Sequence, residues 1–199
     1  ALQGPQAEAV LRDCFGLNIA DLPYMWIMES QIENASDVFI SRLGYTGEDG
    51  FELSIPNDGA VSVWNKLLAR DAVKPIGLAA RDSLRLEMGY PLYGHDIDSK
   101  TSPIEADLAW VMGKDNTGFI GAERVLKEKE HGTARKRVGI RLLDKGIARE
   151  GAEIRDSDDK KIGGLTSGGF SPILKESIGQ GYIESSRAHI GEKVFVNVR

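Results

Sequence analysis

Glu52 lies in the run Phe51-Glu52-Leu53-Ser54-Ile55, where apolar and polar residues alternate. In a strand of that period Phe51, Leu53 and Ile55 face one way, and Glu52 and Ser54 the other. A carboxylate accepts two parallel N–H bonds, which suits a planar heterocycle with an amino group beside a ring N–H, as in guanine or pterin. Periodicity alone favours the plainer reading, a solvent-facing glutamate on a half-exposed sheet. Arg81 shares a helical stripe with Leu84 and Met88, at i, i+3 and i+7. An arginine on an apolar face must snorkel or find a partner. That partner is either an ion pair with Asp82, Glu87 or a neighbouring strand, or an anionic or carbonyl-bearing ligand. Arg85, one turn on, is its rival. Trp110 is either core or a stacking wall for a flat ring. Tyr45 is either a strand-end plug or a ligand contact, with glycines nearby that let a ligand approach the backbone.

The elements that must position these residues follow from the pattern. Residues 37–43 are rich in β-branched and aromatic types and read as a strand. Gly44-Tyr45-Thr46-Gly47-Glu48-Asp49-Gly50 is a turn with three glycines, and the alternating run follows it, so the three form a hairpin. Pro56 ends the second strand, Asn57 or Asp58 can cap a helix, and Ala60, Val63, Trp64, Leu67 and Leu68 make its amphipathic stripe. A second helix spans about 77–88, closed by Gly89 and Pro91, and a third, polar one spans 118–131. An earlier helix follows Gly4-Pro5, with Ala7, Val10, Leu11 and Cys14 on one face. The charged stretch Lys127–Arg137 reads as a solvated linker rather than a docking patch. Beyond it, short β-rich runs near 137–143, 152–155, 161–167, 178–184 and 193–198 alternate with glycine-bearing turns, as in a small barrel or sandwich. These patterns predict an α+β protein with a boundary near residue 135.

Composition narrows the function classes. The 199 residues are 41% hydrophobic and 28% charged, close to an ordinary globular chain, with glycine enriched at 23 residues. A net charge of −5 argues against a fold-wide cationic surface for nucleic acid. The single cysteine, Cys14, forms no internal disulfide and suits a reducing compartment. No apolar run approaches the roughly 20 residues that span a bilayer. Three histidines and one cysteine show no metal-ligand spacing, so no metal is expected. Nucleophile-elbow and phosphate-loop motifs are absent, and Gly44-Tyr45-Thr46-Gly47 lacks the spacing of a dinucleotide fingerprint. The opening Ala1-Leu2-Gln3-Gly4-Pro5 has neither an initiator Met nor a signal core, and reads as a fragment of a longer chain.

Longer strings carry a family likeness. Ala1-Leu2-Gln3-Gly4-Pro5, Gly44 through Glu52, Gly77 through Glu87 and Leu92-Tyr93-Gly94-His95-Asp96-Ile97-Asp98 resemble the aminomethyltransferase (T-protein) family of the glycine cleavage system, in order and spacing. Thr166 through Pro172 and Gly181-Tyr182 resemble its C-terminal barrel, so the likeness covers nearly the whole chain. The resemblance implies a ferredoxin-like α/β part over 1–134, lacking its N-terminal portion, and a small β-barrel over 135–199. It implies a transferase that takes a one-carbon unit from the aminomethyl-lipoyl arm of H-protein and delivers it to tetrahydrofolate, releasing ammonia. Glu52 would then hold the pterin edge, with Tyr45, Arg81 and Trp110 lining the folate pocket. The family's catalytic aspartate would lie in the N-terminal region before Ala1, and its last stretch, beyond Arg199, would be absent or shortened. Alternatives are a related folate-dependent demethylase or folate domain, and a noncatalytic folate-binding module. The expected compartment is the bacterial cytoplasm, or the mitochondrial matrix in a eukaryote.

Overall fold

The computed structural model describes residues 1–33 and 35–198, which divide into two compact units, Ala1–Met88 and Gly89–Arg199. The architecture is α+β, with one antiparallel sheet in each unit.

The first unit runs β1 (Leu2–Gln3), α1 (Ala7–Phe15), β2 (Ile27–Ile32), β3 (Ala35–Ser41), β4 (Gly50–Ser54), α2 (Asn57–Leu68) and α3 (Leu78–Glu87). Its sheet order is β1-β4-β3-β2. The expected hairpin is β3–β4, with Phe39 opposite Ser54, Ile40 opposite Leu53 and Ser41 opposite Glu52. The alternating strand puts Phe51 into a core with Leu11, Ile19, Ile32, Val38, Ile40 and Val63. α1 packs on β4 and α2; its left-handed C-cap is Gly16, a residue that tolerates this conformation without a Cβ penalty. Neither Asn57 nor Asp58 caps α2: Pro56 holds that position without a side-chain bond, and Asp58 sits in the first turn, where a negative charge suits the helix dipole. Two strands go beyond the sequence reading. β1 is only two residues long, and β2 mixes polar residues into its run.

The second unit holds α4 (Ala122–His131), β5 (Arg135–Arg141), β6 (Glu153–Arg155), β7 (Lys161–Ser171), β8 (Glu176–Glu184) and β9 (Phe195–Val196). The strands pair in the order β5-β8-β7-β6-β9 over a core of Ala148, Ile154, Ile162, Leu165 and Ile183. The stretch 127–137 is not a free linker. Lys127–His131 completes α4, where Arg124 pairs with Glu128 at 2.8 Å, and Arg135–Arg137 already belongs to β5. Residue 135 thus begins a strand, whereas the compact units divide at 88/89. Arg135 and Arg137 explain the difference. They bind Glu105 Oε1 at 2.9 Å and the Ala106 carbonyl at 2.8 Å, tying the preceding segment to the sheet.

No helix among the described residues is long and apolar enough to cross a membrane.

Candidate functional site

The glycine turn between β3 and β4 is fastened on several sides. Arg42, one residue past β3, donates through Nε to Asp49 Oδ1 at 2.9 Å and through Nη2 to Asp49 Oδ2 at 2.8 Å. This two-pronged pairing is geometrically specific and stronger than a neutral hydrogen bond. It holds the Asp49 carboxyl below its ordinary pKa and raises that of Arg42. The same guanidinium reaches Glu8 at 3.2 Å and lies 5.3 Å from the centre of the Phe51 ring. From β1, the Gln3 amide donates to the Leu43 carbonyl at 3.1 Å and accepts from the Thr46 hydroxyl at 3.2 Å. Gly47 has φ +81°, and a Cβ there would lie 2.4 Å from Met88 Sδ. Only glycine combines that backbone with room for Met88.

That fastening sets Tyr45 under α3. The Arg81 guanidinium lies 4.9 Å from the centre of the Tyr45 ring, within cation–π range. Arg81 is exposed and has no carboxylate partner among the described residues. Its rival takes the structural role instead: Arg85 is 2% exposed and pairs with Asp82 at 2.7 Å. Of the two arginines, the one whose charge the fold leaves available is Arg81.

Glu52 stands half-buried on the outer face of the sheet, level with Ile27 and Ser41 and beside the row Glu29, Phe39, Ser54. Ile27 is 60% exposed and Phe39 38%, so the carboxylate borders open apolar surface. No side chain among the described residues hydrogen-bonds or ion-pairs with it. A carboxylate partly removed from water gains from a donor, and this one has its acceptor sites open.

A cavity of about 810 Å³ occupies the other face, walled by Leu53, Ile55, Val63, Trp64 and Leu67, with Arg81 and Lys74 also lining it. The alternation along β4 that turns Leu53 into this cavity turns Glu52 away from it. Of the four residues singled out from sequence, the cavity therefore contains Arg81. Tyr45 is brought to Arg81 outside its lining, and Glu52 occupies the opposite face of β4. Trp110 belongs to the second unit, in a 3-10 turn (Ala109–Val111), and is 75% exposed, so it is not a core residue. Sequence reasoning missed Arg42 and Gln3. An arginine at the end of a β-rich run, with an aspartate late in the following glycine turn, was the available signal for the first. Among the described residues no group of three or more His, Cys, Asp or Glu side chains could hold a metal ion.

Comparison with known proteins adds a second line. Residues 1–116 match the family model of the GCVT N-terminal domain, and residues 135–199 that of the glycine cleavage T-protein C-terminal barrel domain. The chain is 42% identical over 203 residues to an aminomethyltransferase of Bacteroides fragilis and 45% identical over 202 residues to one of Halothermothrix orenii. Each alignment takes in 100% of the chain and 56% of the relative. The crystal structure of glycine cleavage system aminomethyltransferase T from Bartonella henselae superposes with a TM-score of 0.92 at 42% identity, over 99% of this chain and 54% of that one. The chain thus spans about half the length of the relatives it matches.

Proposed function

The chain belongs to the glycine cleavage T-protein family, and from that premise we propose that it forms the folate-gripping part of an aminomethyltransferase. The complete enzyme takes the one-carbon unit from aminomethyl-lipoyl H-protein and passes it to tetrahydrofolate, giving 5,10-methylenetetrahydrofolate and ammonia. The observation that carries this reading is Glu52: a half-buried carboxylate without a protein partner among the described residues, beside exposed Ile27 and Phe39. Its two oxygens suit the amino and ring N–H donors of a pterin, and the apolar neighbours suit the flat face of the ring. Arg81, held against Tyr45 on the cavity side of β4, presents a planar guanidinium suited to a carbonyl or carboxylate group. Trp110 offers a further stacking surface.

The reaction asks for little acid–base apparatus. The aminomethyl thioaminal expels ammonia as its C–N bond breaks, leaving an electrophilic carbon on sulfur. Folate N5 attacks that carbon, and closure through N10 breaks the C–S bond and returns the dithiol. Protein groups serve chiefly to align the two partners, an effect worth up to about 7–11 kcal/mol. A catalytic aspartate near the folate nitrogens belongs, in this reading, to the part of the family outside residues 1–199. Domain limits of 1–134 and 135–199 are supported by the barrel match and by β5, both of which start at 135. The relatives' names favour aminomethyl transfer over folate-dependent demethylation or a noncatalytic folate-binding role. Their bacterial sources support a cytoplasmic enzyme. The test is ammonia release from aminomethylated H-protein by the complete polypeptide, with and without tetrahydrofolate. Folate-dependent acceleration is expected; release that ignores folate would overturn the reading.

A further inference from the structure

Gln180 on β8 is among the largest fully buried side chains of the second unit, at 2% exposure, and the reaction above makes no use of it. Its amide lies between two charges. Oε1 accepts from Arg137 Nη1 at 2.6 Å, and Nε2 donates to Asp96 Oδ2 at 3.0 Å and to the Tyr90 carbonyl at 3.0 Å. Arg137, on β5, donates besides to the Gly89 carbonyl at 2.7 Å and the Ala106 carbonyl at 2.8 Å. Asp96, 1% exposed, also accepts from the Leu92 N–H at 2.8 Å and from the Thr166 hydroxyl, while its carbonyl accepts from Tyr182 at 2.8 Å. Every strand-side member of this network grips the segment 89–106, at its start, its middle and its end. Four residues past that end stands Trp110.

A carboxamide serves both neighbours at once, with an N–H for Asp96 and a carbonyl oxygen for Arg137. A glutamate would set a second carboxylate beside Asp96, and an apolar residue would leave Asp96 and Arg137 without this shared contact. Such an investment of buried polar groups is large for a segment that leads into an exposed indole.

We propose that Gln180 is a positioning residue for folate: by linking Arg137 to Asp96 it fixes the segment that leads into Trp110, and with it the indole against which the ligand stacks. The inference rests on the reading of Trp110 as a folate contact given above. It assigns Gln180 no contact with the ligand.

The test uses the complete polypeptide and two readouts. In a background where Trp26, Trp64 and any tryptophan outside residues 1–199 are replaced by Phe, Trp110 is the sole indole, and its fluorescence anisotropy reports its placement without any ligand. Gln180→Met, close in shape and without the amide, should lower that anisotropy. Titration of tetrahydrofolate should then give a Kd raised about tenfold, with KM for aminomethylated H-protein unchanged. The loss should not add to that of Trp110→Ala. A purely structural role would lower the melting temperature and impair both substrates alike. Should Gln180→Met fail to fold, Gln180→Glu keeps the acceptor for Arg137 and is read in the same way. Unchanged anisotropy, a Kd within twofold of wild type, or additive losses would overturn the proposal. A Trp110→Ala variant that binds folate normally would overturn it too, by removing the stacking role itself. That failure is recognisable because the anisotropy change in Gln180→Met would persist.

Discussion

The guanidinium of Arg81 rests 4.9 Å from the centre of the Tyr45 ring, and Arg85, four residues on, takes the ion pair with Asp82. Of two arginines one helical turn apart, one is thus tied into the fold and the other keeps its charge without a carboxylate partner among the described residues. The glycine turn makes this possible, because Arg42 and Gln3 fasten it while Gly47 gives way to Met88.

Arg81→Lys should weaken tetrahydrofolate binding by about three- to tenfold, since a point charge loses both the stacking and the planar fork. Tyr45→Leu should cost a similar factor, and the double variant should lose less than the product of the two. Calorimetric titration at constant ionic strength checks this. A lysine variant that binds as wild type would assign Arg81 to the structure alone.

Acid should loosen the turn. Arg42 holds the Asp49 carboxyl below its ordinary value of 3.8. The folded-state pKa is the lower one, so the contribution is present above that value and is lost as pH falls through it. The Asp49 side chain is 41% exposed, so the effect is small. Asp49→Asn should flatten the acid limb of the stability curve between about pH 5 and pH 2, measured by urea midpoints.

At the alkaline end Tyr182 acts in the opposite sense. Burial raises its hydroxyl above the ordinary value of 10.0, and the proton is donated to the Asp96 carbonyl at 2.8 Å. Stability from this group is complete below that value and is lost as pH rises above it, because the unfolded chain releases the proton first. Tyr182→Phe should remove that alkaline decline, as read from melting temperatures across pH 8–11.

Gly181→Ala should destabilise the second unit by about 3 kcal/mol, the upper part of the usual cost of overpacking. Its Cβ would fall 2.2 Å from the Gly164 carbonyl oxygen and 2.7 Å from Leu165 Cα, backbone atoms of the paired strand that have nowhere to move. Gly139→Ala on β5 meets nothing within 4 Å and is the control, with a change within about 0.5 kcal/mol. Equal denaturation midpoints for the two variants would contradict this.

Much of the first unit could be read from residue order. Strict alternation over 51–55 identified β4 and placed Glu52 opposite Leu53, and the stripe on α2 was correct. That stripe then divides, with Val63 2% exposed in the core and Trp64 56% exposed on the cavity. Periodicity says which residues share a face but not what lies over it, so the cavity on the Leu53 side was not foreseeable. Neither was the choice between Arg81 and Arg85, which depends on where Asp82 points. β1 escaped notice because two residues carry no period, and β2 because Glu29, Ser30 and Gln31 break its apolar run. Gln180, flanked by Gly179 and Gly181, carried one signal: glycines on both sides mark strands in close approach, where a polar side chain is apt to be enclosed.

The central claim is that Glu52 grips the pterin. Glu52→Gln keeps the side chain's shape but replaces one acceptor oxygen with a donor and removes the charge. Titrating tetrahydrofolate into the wild-type and variant polypeptides should show affinity falling at least about tenfold, as expected when a charged hydrogen-bond pair is lost, with no change in melting temperature. Equal affinity in the two proteins would contradict the claim.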